Sequence, residues 1–146
     1  MAKSLILLVG GPDSGRSEWA RKCREKMISD GVPSSLVSYP NIYNYYRMQG
    51  YSEDVSDGKT NLLIPDLVEE ELGADRYVIV DDDNLSLGRR QHLISIAKKL
   101  FIEVECLYFI SPKEIELDEP TINEGYSYLF KIKKNRIVSL KRGYEF

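Results

Sequence analysis

The stretch whose reading decides the fold is Ser4–Arg24, SLILLVGGPDSGRSEWARKCR. It opens on a continuous apolar run, Leu5 to Val9, of the kind carried by a strand buried on both faces. Gly10-Gly11-Pro12-Asp13-Ser14-Gly15-Arg16-Ser17 follows, and then a mixed charged and apolar segment of helical character. Strand, glycine-rich turn and helix make the context in which a phosphate-binding loop works, because successive backbone N–H groups and the helix N-terminus point at one anion. The spacing fits G-x-x-x-x-G-K-[ST] with one change, Arg16 in place of the lysine. Residues Gly10 to Ser17 are therefore the candidate phosphate-binding set. In the standard loop the lysine contacts the transferred phosphoryl group and the following hydroxyl, here that of Ser17, holds Mg²⁺. Arginine keeps the charge but is longer and planar, so it preserves anion binding more readily than transition-state placement. Arg16 is the first candidate catalytic residue. ATP or another nucleoside triphosphate, with Mg²⁺, is the implied cofactor.

The remainder of the chain sets bounds. Its 146 residues suit one domain with a single core, and the formal net charge of −3 excludes a general polyanion binder. Any nucleic-acid contact is then local. The basic cluster Lys131, Lys133, Lys134, Arg136, Lys141 and Arg142 reads either as such a patch or as a solvated hairpin. No apolar run reaches the roughly 20 residues of a membrane span. The apolar run at the start leads straight into the glycine-rich loop without a small-residue cleavage site, so a signal peptide is rejected. Cys23 and Cys106, the two cysteines, lie far apart with no metal-ligand spacing and read as buried thiols. The expected compartment is the cytoplasm.

Along the chain, strand and helix alternate. Leu5 to Val9 is the first strand. A helix runs from Gly15 to about Ile28, with Trp19, Ala20, Cys23 and Met27 on one face, and Asp30-Gly31-Val32-Pro33 ends it. Leu36 to Tyr39 is a second short strand. Next comes Tyr39-Pro40-Asn41-Ile42-Tyr43-Asn44-Tyr45-Tyr46-Arg47 and then Tyr51, a window holding five of the ten tyrosines. These rings read either as a stacking platform for a base or nucleic-acid end, or as core capping the sheet edge with the rest at an interface. Ser52 to Asn61 reads as a polar surface loop, and Pro65 to Leu72 as an acidic helix with proline in its first turn. Tyr77 to Val80 is a third strand, Ser86 or Leu87 to Leu100 an amphipathic helix, and Val104 to Ile110 a fourth strand. Beyond Pro120, Tyr126 to Ile132 and Arg136 to Leu140 flank Lys133-Lys134-Asn135 as a hairpin. The expected fold is α/β: a parallel sheet flanked by helices like that of the P-loop NTPases, with a C-terminal β-hairpin extension. One domain spans 1–146, made of a core 1–111, a short linker 112–119 and a C-terminal β segment 120–146.

A second constellation is Val78-Ile79-Val80-Asp81-Asp82-Asp83-Asn84. A carboxylate at the C-terminal end of a strand beside a phosphate loop is where a nucleotide-binding sheet holds its metal-organising or base-activating acid. Asp82 is chosen as that acid, a candidate both for catalysis and, with Ser17, for metal binding. Asp83 and Asn84 also suit a helix cap. His92, the single histidine, falls mid-helix and supports neither a triad nor a zinc site.

Asp82-x-Asn84-Leu85-x-x-x-Arg89-Arg90, with the following helix and apolar strand, resembles the kinase domain of phage 5′-hydroxyl polynucleotide kinase and related P-loop kinases, including those acting on seryl-tRNA. Glu119-Pro120-Thr121-x-x-Glu124-Gly125-Tyr126 is similar to the Pro-Thr-x-x-Glu-Gly-Phe segment that closes many such domains. The resemblance implies that Gly10, Gly15 and Ser17 serve the phosphates and Mg²⁺, and that Asp82 organises the loop side chains or the acceptor end. Three departures accompany it. The family's general-base aspartate after the second strand is replaced in Tyr39-Pro40-Asn41, and Asn41 can hydrogen-bond a hydroxyl but cannot take its proton. Arg47 is the nearest candidate for the acceptor phosphate. The arginine-bearing lid between the fourth strand and the Pro-Thr segment is reduced to Ser111–Asp118, which leaves Arg16, Arg89, Arg90 or a partner chain to meet the transition-state charge. Two functions follow: a kinase moving the ATP γ-phosphate to a hydroxyl of a nucleic acid or nucleotide, or a degenerate kinase fold binding a nucleotide, nucleic acid or protein without turnover. The partners so implied are a nucleotide, a nucleic-acid end and, as a candidate, a second copy of the chain, with no membrane.

Overall fold

The computed structural model describes residues 3–11, 14–82, 86–110 and 119–143. Six strands form one sheet in the order β2-β3-β1-β4-β5-β6: β1 Ser4–Val9, β2 Ser34–Ser38, β3 Tyr77–Asp81, β4 Glu103–Phe109, β5 Tyr128–Lys133 and β6 Arg136–Arg142. The first five are parallel and β6 runs antiparallel to β5. Four helices join them: α1 Arg16–Ser29, α2 Tyr39–Met48, α3 Glu53–Gly73 and α4 Leu87–Lys99. The chain leaves β1 toward β2 on one side and leaves β3 toward β4 on the other. That reversal opens a crevice at the C-terminal ends of β1, β3 and β4, where open α/β sheets bind ligands.

Strand alternation sorts the core into two layers. Leu5, Leu7, Val9, Val78, Val80, Val104 and Cys106 face α3 and α4, meeting Ile64, Val68, Leu93 and Ala97. Ile6, Leu8, Ile79, Leu107 and Phe109 face α1, meeting Ala20 with Trp19, Cys23 and Met27. Burying each large aliphatic side chain stabilises the fold by about 1.5–3 kcal/mol. The central strands are therefore apolar on both faces, as the Leu5–Val9 run requires.

The α/β class and the C-terminal hairpin stand as expected. Lys134 and Asn135 at its tip adopt φ of 49° and 63°, the left-handed pair of a two-residue turn. The reading of residues 52–61 as a loop is overturned, because they form the first half of α3. Its buried stripe is Ser56, Thr60, Ile64, Val68 and Leu72, and two of these five are polar, so a count of apolar residues misses its first two turns. Ser52 caps the helix by accepting from the Val55 N–H, and Thr60 Oγ1 donates to the Ser56 carbonyl at 2.7 Å. Pro65, expected in a first turn, lies in the helix interior. The tyrosine window is α2, begun by Ser38 Oγ accepting from the Asn41 N–H with Pro40 in the first turn. Among the described residues no helix is long and apolar enough to cross a membrane.

Candidate functional site

The glycine-rich loop stands at the mouth of the crevice, and two of its glycines are required by geometry. A Cβ on Gly10 would lie 2.8 Å from Phe109 Cβ and 2.8 Å from Ser14 Oγ. Gly15, which precedes α1, has φ of 84°, a left-handed conformation that glycine adopts without penalty. Ser14 Oγ donates to the Gly11 carbonyl at 2.6 Å and closes the turn. Pro12 and Asp13 lie outside the described residues. Ser17 is exposed in the first turn of α1.

Arg16 does not extend from the loop. Its side chain is buried and folds beneath, with Nε donating to Asp81 Oδ1 at 2.5 Å and Nη1 to the Gly10 carbonyl at 2.6 Å. The planar fork joins the last residue of β3 to the first residue of the loop, a span suited to guanidinium geometry. Asp82, one residue on, turns to the other side. It is fully buried and accepts from Nη2 of Arg89, whose guanidinium also lies 6.0 Å from the Tyr39 ring centre. Tyr39 stacks on Tyr43 and its hydroxyl donates to Asp57 of α3. The crevice thus brings together Gly10, Arg16, Asp81, Asp82 and Arg89.

Other candidate residues are turned elsewhere. Arg90 is buried and forks onto Glu124, with Nε to Oε1 at 2.8 Å and Nη2 to Oε2 at 3.3 Å. Glu124 also accepts from the Thr121 N–H at 2.6 Å and from the Tyr126 hydroxyl at 2.9 Å, and with Thr121 it forms a capping box. The Pro-Thr-x-x-Glu-Gly-Tyr segment is therefore a clamp that holds the chain entering β5 against α4. Burial alone raises the Glu124 carboxyl, but hydrogen bonds from Arg90, Thr121 and Tyr126 outweigh it and leave the group below its ordinary value. Burial drives the Tyr126 phenol upward and the Cys106 thiol to about 12, so neither ionises near neutrality. Asn41 is exposed in the first turn of α2. Arg47 is in the last turn of the same helix and donates to the Tyr51 carbonyl at 2.9 Å. The shortened segment 111–118 lies outside the described residues.

Two residues of the site escaped the sequence reading. Asp81 was passed over for its neighbour, although alternation puts it on the same face as Ile79 and therefore toward α1, which carries Arg16. Asn135 at the hairpin tip has its Oδ1 3.4 Å from where a Gly15 Cβ would stand, so the hairpin tip meets the glycine-rich turn. A contact between residues so far apart in sequence leaves no local signal.

Among the described residues no group of three or more His, Cys, Asp or Glu side chains is placed to hold a metal. Mg²⁺ needs none, since it takes one or two protein oxygens and completes its shell with phosphate and water. Ser17 and the carboxylates of Asp81 and Asp82 are oxygen donors of that class. The residues fit a magnesium-bound triphosphate, and the Arg16 guanidinium is held by Asp81.

The profile of the family described as chromatin associated protein KTI12 matches residues 3–145. An L-seryl-tRNA(Sec) kinase of Methanococcus maripaludis is 26% identical over 133 residues, 90% of this chain and 50% of that protein. The chain thus spans half the length of that curated relative. Among solved structures, a variant of the APS kinase CysC of Mycobacterium tuberculosis matches with TM-score 0.62 at 14% identity, over 93% of this chain and 90% of that one. The same enzyme in complex with AMPPNP and APS matches with TM-score 0.58 at 17% identity, over 76% and 64%. At these identities the structural likeness establishes a P-loop kinase-like fold.

Proposed function

The chain belongs to the KTI12 family, and from that premise we propose that it binds a magnesium-bound nucleoside triphosphate on the Gly10–Ser17 loop and moves the γ-phosphate to a hydroxyl of a nucleic-acid or nucleotide acceptor. The observation that carries this reading is the pair of carboxylates at the end of β3. Asp81 holds the cation of the loop through Arg16, while Asp82, joined to Arg89, faces the side of the crevice walled by α3 and α4. Backbone N–H groups of the loop receive the phosphates, Ser17 and one carboxylate supply oxygens to the metal, and Asp82 orients the acceptor hydroxyl or takes its proton. Mg²⁺, when bound, would supply neutralisation of the phosphate charge. The name of the curated relative, a kinase of seryl-tRNA, supports an acceptor carried on nucleic acid over a free small molecule, and a 5′-hydroxyl end of the polynucleotide kinase kind is the second acceptor to try.

Binding without transfer is favoured by a different observation. Arg16 spends its fork on Asp81 and the Gly10 carbonyl, and Asn41 offers no base. The two readings separate in one assay. Labelled γ-phosphate is offered with Mg²⁺ to a 5′-hydroxyl oligonucleotide and to aminoacylated tRNA, beside a thermal-shift titration with ATP and Mg²⁺. Transfer that is lost in Asp82→Asn while the fold persists is the expected result. A thermal shift with neither transfer nor hydrolysis leaves the binding reading, and no shift at all defeats both.

A further inference from the structure

A cavity of about 340 Å³ lies between α1 and the C-terminal hairpin, on the sheet face that α1 covers. Trp19 of α1, Leu107 of β4, Phe130 and Ile132 of β5 and Ile137 of β6 give it apolar walls, and Ile137 stands 63% exposed at its rim. Its polar lining is Asn135 at the hairpin tip and Glu105 of β4. Glu105 belongs to this face by register. It pairs with Ile6, whose side chain lies in the α1-facing layer, so alternation sends the carboxylate the same way. Its charge is felt across the layer by the Cys23 thiol of α1.

Among the described residues no hydrogen bond or ion pair reaches the Glu105 side chain. The row across the strands runs from Glu105 through Tyr128 to Arg142, and the Arg142 guanidinium lies over the Tyr128 ring, 5.9 Å from its centre. An ionised carboxylate accepts hydrogen bonds and donates none, which fixes the sign of its partner: a group that brings N–H donors and positive charge. The other walls fix the far end of a ligand, because five apolar side chains, two of them aromatic, favour a hydrocarbon body. The volume falls at the lower end of the roughly 300–1,000 Å³ of ligand pockets, enough for one ring and a short chain. Walls of helix on one side and hairpin on the other suit a small molecule better than the face of another helix.

We propose that this cavity binds a small organic cation, an ammonium group on a single aromatic or branched apolar body, with the ammonium on Glu105 and the body against Trp19, Phe130 and Ile137. The site is outside the crevice, and its assignment is independent of the phosphotransfer reading. A carboxylate kept in apolar surroundings without a counter-ion weakens the fold where it stands, and a ligand that supplies the counter-ion offsets that loss.

Trp19 is the only tryptophan in the chain and lines the cavity, so its emission reports on this one place. The folded chain is titrated at neutral pH with three probes that share a phenyl ring on a short chain: phenethylamine, phenethyl alcohol and hydrocinnamate, which are cationic, neutral and anionic. Phenethylamine is expected to shift Trp19 at concentrations roughly three- to tenfold lower than the alcohol, the effect of one charge-assisted hydrogen bond at a half-exposed site. Hydrocinnamate is expected to need the highest concentration. Glu105→Gln, which keeps the size and removes the charge, brings the amine to the level of the alcohol. Trp19 unmoved by all three probes, an amine no better than the alcohol, or a preference that survives Glu105→Gln overturns the proposal. The order of the probes on the wild-type chain decides the matter even where Glu105→Gln does not fold. Butylamine, which carries its ammonium on a lysine-like stem, is expected to be weaker than phenethylamine; an equal effect would make the cavity a seat for a partner protein's lysine and overturn the small-ligand assignment.

Discussion

Asp81 and Asp82 follow one another at the end of β3, and the pleat sends them to opposite faces of the sheet. Asp81 sides with Ile79 and meets Arg16 of α1, both side chains being sealed from solvent. Asp82 sides with Val78 and Val80 and meets Arg89 of α4, whose side chain remains about a quarter exposed, at 26%. The same residue type therefore does two jobs. On the α1 face a carboxylate latches the phosphate loop to the sheet, and the latch is closed to water. On the α3–α4 face a carboxylate is held by an arginine that solvent and a ligand can reach. An acid engaged in a closed pair is structural first; one whose partner opens onto a cavity is placed for chemistry.

The largest expected effect breaks the closed pair. Arg16→Ala leaves Asp81 buried and uncompensated and removes the donor to the Gly10 carbonyl, a loss of about 3–5 kcal/mol. Denaturant unfolding reads it directly, and Tm falls on the order of 10 °C. Asp82→Asn keeps an acceptor for Arg89 and costs about 1 kcal/mol or less. Equal losses for the two variants would erase the contrast between the faces.

Activity is expected to invert that order. Asp82→Asn lowers γ-phosphate transfer by about 10²–10⁴, the range for losing a positioned acid or base. Single-turnover transfer, compared with the thermal shift produced by ATP and Mg²⁺, measures it. An unchanged rate would remove Asp82 from the chemistry and return attention to Asp81.

Neighbouring arginines on α4 repeat the comparison. Arg89 serves the crevice, whereas Arg90 and Glu124, with side chains 1% and 7% exposed, form a clamp beyond it. Because hydrogen bonds hold the Glu124 carboxyl below its ordinary value, the native state binds fewer protons there than the unfolded chain. The clamp's contribution is thus complete above the ordinary carboxylate range and is lost as pH falls through the lowered value. Glu124→Gln is expected to cost about 2 kcal/mol at pH 7 and progressively less in acid. Unfolding curves from pH 7 to pH 3 check the convergence; a penalty constant across that range would mean that the carboxylate charge is not what holds Arg90.

Much of this frame was legible in the residues. The apolar run before Gly10 and the spacing to Gly15 and Ser17 specify strand, loop and helix, because each is a local pattern with a local cause. The Pro-Thr-x-x-Glu-Gly-Tyr segment was legible as a motif, but its physical role as an Arg90 clamp was not, since Arg90 and Glu124 are joined only by folding. The helical stripe of α3 was hidden by Ser56 and Thr60, which are buried without being apolar. Arg16 was identified as the departure that matters, yet whether its fork faces the anion or Asp81 depends on a contact 65 residues away. Local periodicity carries backbone form; the partner of a charged side chain is a property of the assembled sheet.

A third carboxylate sharpens the lesson by lacking a partner. Glu105 of β4 is in register with Ile6 and so lies on the α1 face, as Asp81 does, and no ion pair among the described residues reaches it. Burial, with a smaller contribution from Glu103, raises its carboxyl above the ordinary value. The native state then binds more protons there than the unfolded chain, so stability declines as pH rises from the ordinary glutamate range through the raised one, and stays lower above it. Glu105→Gln removes that decline. Allowing for solvent screening at a half-exposed position, Tm at pH 7 is expected to rise by about 1–2 °C, with no difference from the parent near pH 3. The same change relieves Cys23 of α1, whose thiol is raised first by burial and then by the Glu105 charge, so alkylation of Cys23 at a fixed pH is expected to quicken. A variant less stable than its parent at pH 7, or offset equally at every pH, would show that Glu105 is satisfied where it stands and that the α1 face tolerates a carboxylate without the arginine Asp81 requires.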